Sequence, residues 1–221
     1  MRPDELVARH PHLYHMAADG AWPNILRRGL LSTTAILDLF GLTGDRRRML
    51  EQEPRRDSVV LQTDSGERFV LRDQKPLHPG KLERCLIGMT VPEWLRLLNG
   101  KVFFWPTRKR CEQLLAARAY RLGAHTVIEV DTVALLQQHA RRVSLSPINA
   151  GSTLHDPPRR GAFTFVPLAD ADLDAWRTTT GRRRAIAEVA VDYAVLDIGA
   201  VIRSVFRADS RGWTRIWDGG R

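Results

Sequence analysis

The sequence predicts a single α+β domain. Short apolar runs bounded by turn residues recur along the chain and read as strands. Segments opened by Ser, Thr, Asp or Pro and closed by Gly or Asn read as helices between them. The length, 221 residues with 43% hydrophobic content, suits one domain with a sizeable buried core and no need for a disulfide or metal staple.

Taken in order, residues 11–16 read as a strand ending near His15. Pro23 sits in the first turn of a helix that Gly29 closes. Ser32-Thr33-Thr34 caps a second helix through Phe40, and residues 44–52 form a polar third. Strands at Ser58–Gln62 and Phe69–Leu71 flank the turn Asp64-Ser65-Gly66. The Pro and Gly content of residues 72–80 makes a loop. Val91-Pro92 opens a helix that stops at Asn99-Gly100, and Val102–Trp105 is an aromatic strand. Thr107 caps a helix expected to reach about Arg121. Thr126–Val130 is a strand, Asp131 caps a helix over 132–139, and Val143 and Leu145 mark another strand. A long loop spans 146–161, a strand Phe163–Val166, and a short helix 169–177. Residues 178–183 are a polar loop, Ala185–Val191 a strand, and Ile198–Phe206 holds the last strand. Residues 207–221, with Trp213 and Trp217, read as a C-terminal tail of the 1–221 domain.

The chain carries 34 Lys+Arg against 25 Asp+Glu, a net charge of +9. Only Lys75, Lys81, Lys101 and Lys109 are lysines, so the basic side chains are almost all arginine. Arginine's planar fork of donors matches phosphate. Its runs, Arg46-Arg47-Arg48, Arg108-Lys109-Arg110, Arg141-Arg142, Arg159-Arg160 and Arg182-Arg183-Arg184, suit a polyanion, with DNA or RNA the leading partner; solvated faces are the bland alternative. No apolar run of about 18 residues is present, so no membrane span or membrane partner is expected. The first residues lack the features of a secretory signal. Cys85 and Cys111 are far apart, so a reducing, cytoplasmic setting is expected and a zinc site is not.

His15 is the first candidate for chemistry. A lone histidine at a strand end is more often structural, so its meaning depends on its company. A metal site built from His10, His12 and His15 lacks carboxylate or cysteine neighbours and is set aside. Leu13-Tyr14-His15-Met16, followed by Asn24-Ile25-Leu26-Arg27-Arg28-Gly29-Leu30, is similar to the first motif of poly(ADP-ribose) polymerases and of DarT-type DNA ADP-ribosyltransferase toxins. Met16 stands where the polymerases often have glycine, which favours the toxin branch. Lys101-Val102-Phe103-Phe104-Trp105-Pro106 resembles the aromatic second motif, with Phe103 in place of the tyrosine that stacks on nicotinamide. Arg184-Ala185-Ile186-Ala187-Glu188-Val189 looks like the strand that presents the catalytic glutamate.

This resemblance covers residues 11 to about 206, and the middle of the chain places it in a divergent bacterial branch. It implies an ADP-ribosyltransferase-like pair of split antiparallel sheets with flanking helices. It also implies NAD as substrate with no metal, and mono-ADP-ribosyl transfer to DNA or RNA in a toxin or phage-defence setting, with an antitoxin or immunity protein as a further partner. Carried over, His15 and Glu188 are catalytic, and His15, Met16 and Phe103 hold NAD. An arginine for the NAD phosphates comes from Arg46, Arg47, Arg48, Arg55 or Arg56, with Arg48 taken. Arg182, Arg183 and Arg184 precede the glutamate strand where the family selects its acceptor. Ile186 shares a strand face with Glu188 and makes no hydrogen bond, which disfavours an arginine acceptor. The polar loops Arg72-Asp73-Gln74 and Asn149–Thr153 are expected to line the cleft. Two other readings remain: an NAD-dependent RNA 2′-phosphotransferase of the same fold, and a non-catalytic nucleic-acid-binding domain, which the missing hydroxyl at Phe103 would suit.

Overall fold

The chain is described from a computed structural model that covers residues 1–154, 156–172 and 186–219. It is an α+β domain in which every strand pairing is antiparallel among the described residues. The first sheet places β1 (His12–Ala18), β6 (His125–Asp131), β11 (Ile202–Asp209) and β12 (Gly212–Asp218) side by side. In the second, β9 (Glu188–Asp192) lies between β5 (Lys101–Phe104) and β7 (Val143–Ser146), with β8 (Val166–Pro167) at the edge. Two short ribbons complete the set: β2 (Leu30–Leu31) with β10 (Ala194–Val195), and β3 (Val59–Gln62) with β4 (Arg68–Leu71).

Strand composition follows burial. β6 and β9 are interior strands, and Thr126–Ile128 and Glu188–Val191 are buried without alternation because both faces are covered. On one side of β6 the main core gathers Leu13, Ile128, Val130, Leu145, Val189 and Val205. On the other, Val127 and Phe206 pack against Cys111 of α7 (Arg108–Leu115). A separate cluster around Trp94 and Leu95 joins α5 (Pro79–Cys85) to α6 (Val91–Asn99) beneath β9. A further cluster, with Ile36, Leu37, Leu61, Phe69 and Leu71, fastens the β3–β4 hairpin to α3 (Thr33–Leu39).

The helices begin where side chains satisfy their free N–H groups. Ser32 Oγ accepts from Ala35 N at 3.1 Å, and Asp131 Oδ1 accepts from Ala134 N at 3.0 Å to start α8 (Thr132–His139). Thr90 and Glu93 form a reciprocal capping box at α6. Two helices at the N-terminal end, α1 (Pro3–Arg9) and α2 (Trp22–Arg28), carry proline in the first turn, and α4 (Gly44–Gln52) follows α3.

The structure departs from the sequence reading in several places. The helix opened by Thr107 ends at Leu115 rather than near Arg121, because the chain turns there to bring Tyr120 against Arg72 and Asp73. Residues 162–164 form a single 3₁₀ turn, and the strand expected at Phe163–Val166 is reduced to Val166–Pro167. Leu168–Asp170 is another 3₁₀ turn, Ala171 and Asp172 are not helical, and residues 173–177 of the expected helix lie outside the described residues. The strand expected from Ala185 begins at Glu188. Residues 207–218, read as a C-terminal tail, pack back on the sheet as the end of β11 and as β12. No helix among the described residues is long and apolar enough to cross a membrane.

Gly29 ends α2 at φ +83°, and a Cβ there would lie 2.5 Å from Leu196 Cα and 2.7 Å from Val195 O. Both neighbours are backbone, so neither can swing aside. Gly29→Ala is therefore expected to cost about 2–4 kcal/mol in urea unfolding. Gly20 has a similar φ of +74° and open space around it, so Gly20→Ala should show only the backbone strain, about 1 kcal/mol.

Candidate active site

The two large sheets meet where β1 bridges Trp105, the residue that follows β5. Tyr14 N donates to Trp105 O at 3.0 Å, and Trp105 N donates back to Tyr14 O at 2.7 Å. One residue further along β1, the His15 ring bonds the Phe103 carbonyl at 2.8 Å. Beside this seam lies a cleft of about 330 Å³. His15, Met16, Phe103 and Glu188 all line it. Its walls also include Arg72, Asp73 and Gln74 after β4, and Asn149, Gly151 and Ser152 of the long loop.

A carbonyl oxygen only accepts, so the Nδ1 that faces Phe103 O carries the proton. Burial drives the His15 pKa down to about 4, and the Arg72 charge adds to that, against the hydrogen bond to Phe103. The imidazole is therefore neutral at physiological pH, and its Nε2 is an acceptor.

Glu188 opens β9 opposite Ser146 of β7 and is only 4% exposed. Its Oε2 accepts from Ala150 N at 3.1 Å. Burial raises its pKa from the ordinary 4.5 to about 8, while the Ala150 N–H, Arg160 and Arg110 pull the other way. In the free protein the group is thus mostly a protonated acid at neutral pH. A positive charge arising in the cleft would favour its ionised form, which suits a carboxylate that must respond to developing charge.

Arg55, Arg68 and Arg72 supply cations to the cleft. Arg72 Nη1 reaches Met16 O at 3.4 Å, and its guanidinium lies 4.7 Å from the centre of the Tyr120 ring. Arg55 is buried and bonds Arg72 O at 3.0 Å and Asn99 Oδ1 at 2.9 Å, with Leu50 O as a further partner. Desolvation lowers its pKa to about 10. Arg48 is a correction: it does not line the cleft. It is exposed on α4 and pairs with Glu53 at 2.6 Å and Asp45 at 3.4 Å, because that polar helix turns it to solvent beside its own acids. Arg47 of the same run pairs with Asp38 and Glu51.

Ile186 is 1% exposed and sits in the main core, before β9 begins, so it offers no face to an acceptor. Arg182, Arg183 and Arg184 lie outside the described residues. Among the described residues the ring nitrogens of His10 and His12 have no hydrogen-bond partner, and no set of three metal-ligating side chains comes together. Sequence reasoning gave no role to Arg72, Ala150 or Arg160. The signals were slight: a cation directly after an apolar strand for Arg72, and an ordinary pair of arginines for Arg160.

Raising the Glu188 pKa on folding means that the native state holds a proton the unfolded chain releases. That stability contribution is complete below about pH 4.5 and is lost as pH rises toward 8. Glu188→Gln removes this loss. Its stability advantage over the wild type should be small near pH 4.5 and grow to on the order of a few kcal/mol at pH 8, read from urea unfolding across that range.

No curated protein matches the chain. Residues 11–202 match the family of unknown function DUF7002, a span that takes in His15, Phe103 and Glu188, and the chain therefore belongs to that family.

Proposed function

We propose that the chain is an NAD-dependent mono-ADP-ribosyltransferase acting on nucleic acid. The observation that supports this most is the convergence of His15, Phe103 and Glu188 on one cleft beside the seam of two antiparallel sheets. The three come from distant parts of the sequence and match, in order, the three motifs of the resembled enzymes.

The lining suits NAD in kind. The Nε2 acceptor of neutral His15 matches a ribose hydroxyl, which donates. Phe103 and Trp105 offer aromatic surface for a flat ring. Arg55 and Arg72 belong to no ion pair among the described residues and suit the pyrophosphate. Arg55 was among the arginines considered for this task, and it takes the place first given to Arg48. The cleft volume falls within the usual range for small-molecule sites.

NAD supplies an ADP-ribosyl group whose bond to nicotinamide breaks, with nicotinamide as the leaving group. His15 holds the ribose and Phe103 covers the ring. Glu188, anchored by the Ala150 N–H, becomes the fixed anion that stabilises positive charge on the ribose and can take a proton from the incoming nucleophile. The net charge of +9 favours a polyanionic acceptor. Free, buried Cys85 and Cys111 suit a reducing compartment such as the cytoplasm. A toxin or phage-defence role, with its inhibitory partner, follows from the resemblance alone.

The test is incubation with labelled NAD and separate DNA, RNA and protein pools. Label should be retained by a nucleic-acid pool, and Glu188→Ala should lower the rate by about 10²–10³ or more. His15→Ala should weaken NAD binding, read as a raised KM. Absence of label from every pool, or full activity in Glu188→Ala, would sink the reading.

A further inference from the structure

Arg160 is completely buried, yet nothing in the reaction just described uses it. It closes the long loop between β7 and β8. Its backbone N–H donates to Cys85 O at 2.9 Å and its carbonyl accepts from Ile87 N at 2.9 Å, which pins it to the end of α5. Its Nη1 donates to the carbonyls of Ala150 and Ser152, each at 3.0 Å, and Nε donates to Pro158 O at 3.2 Å. The guanidinium centre is 5.9 Å from the centre of the Trp94 ring. Nη2 has no hydrogen-bond partner among the described residues. All of these acceptors are neutral carbonyls. A buried cation is costly without a compensating anion. Three carbonyls would shape a loop as well through smaller neutral donors, so the charge itself calls for an explanation.

The ionisable groups that act on it are the Cys85 thiol and Glu188, a carboxyl that is mostly protonated at rest and becomes an anion only as positive charge develops in the cleft. Ala150 links Arg160 to Glu188: its carbonyl accepts from Arg160 Nη1, and its N–H donates to Glu188 Oε2 at 3.1 Å. We propose that Arg160 is a positioning residue for Glu188: it holds the Ala150 N–H against the carboxyl and supplies the buried positive field that keeps the ionised form within reach. This rests on the reading of Glu188 as the catalytic carboxylate. Among the described residues, the charges that act on Glu188 are Arg160 from the long loop and Arg110 from α7 as a weaker field; neutral His15, Arg72, Asp73 and Lys101 line the same cleft. Burial works against ionisation, and Arg160 and Arg110 work for it, with Arg160 the stronger. In this arrangement the loop is a rigid backing for the carboxylate, and its residues Asn149, Gly151 and Ser152 face the cleft as part of the same piece.

The test uses the full chain, with the side-chain carboxyl carbon of glutamate labelled with ¹³C and followed by NMR as pH is raised. The resonance missing in Glu188→Gln identifies Glu188. In the wild type it should titrate near 8. In Arg160→Gln the midpoint should rise by about one pH unit or more, and in Arg160→Lys, which keeps a charge but not the fork, by less. The acid limb of the kcat–pH profile should move upward in step, with KM for NAD little changed, a split that simple loosening of the fold would not give. An unmoved or lowered Glu188 titration in folded Arg160→Gln overturns the proposal. Should that variant not fold, Arg160→Lys decides, with an upward shift in support and no shift against. Failure of the wild type to transfer label would sink the functional reading and leave the titration to judge Arg160 on its own.

Discussion

Everything at the site depends on how few backbone bonds join two sheets that share one core. β1 and the end of the β5 segment share one bridge, Tyr14 with Trp105, and the adjacent bond from His15 to Phe103 O. More pairing would merge the strands into one continuous sheet and fill the space beside them. Less would leave His15 unanchored and free to rotate. The two contacts hold the sheets in register and leave a cleft into which side chains from both can face. The bond that joins the sheets also selects the tautomer of His15, so architecture and chemistry rest on the same hydrogen bond.

The sequence made the well-patterned parts legible. β6, α8 and α4 stand out because a run of apolar residues, an Asp cap or a polar helical stretch each carries its own local signal. β12 was hidden for the opposite reason. It is an edge strand with most of its residues exposed, so no burial pattern marks it, and its arginines and tryptophans read only as a C-terminal tail packing back. α7 was read too long because the turn that ends it is imposed by Tyr120 reaching Asp73 and Arg72, contacts between segments far apart in sequence. Motif order located His15, Phe103 and Glu188, since strand-borne residues keep their spacing. It named Arg55 only as one of five candidates and Arg72 only as loop lining, and it missed Arg68, because an arginine's role depends on which face its segment turns inward.

The arginines divide into three kinds that look identical in the sequence. Arg47 and Arg48 are matched by acids within their own neighbourhood. Arg55 and Arg160 are buried and held by neutral groups. Others combine both roles, as Arg108 does by pairing with Glu112 at 2.9 Å while lying 4.2 Å from the centre of the Trp213 ring. The net charge of +9 already subtracts the matching acids, but it still counts Arg55 and Arg160, whose burial keeps them from a polyanion on the outside. Composition counts these residues equally, and only packing tells them apart.

Gly29 has a consequence for descent. With its φ of +83° and backbone on its open side, the position admits no side chain while α2 rests on β10. A lineage can exchange arginines, shorten loops or add edge strands and still fold. Here every change that replaces the glycine drives a Cβ into backbone, and relatives that retain this contact are expected to retain the glycine. A residue with no chemistry of its own is thus a more durable marker of kinship than the charged groups that surround the cleft.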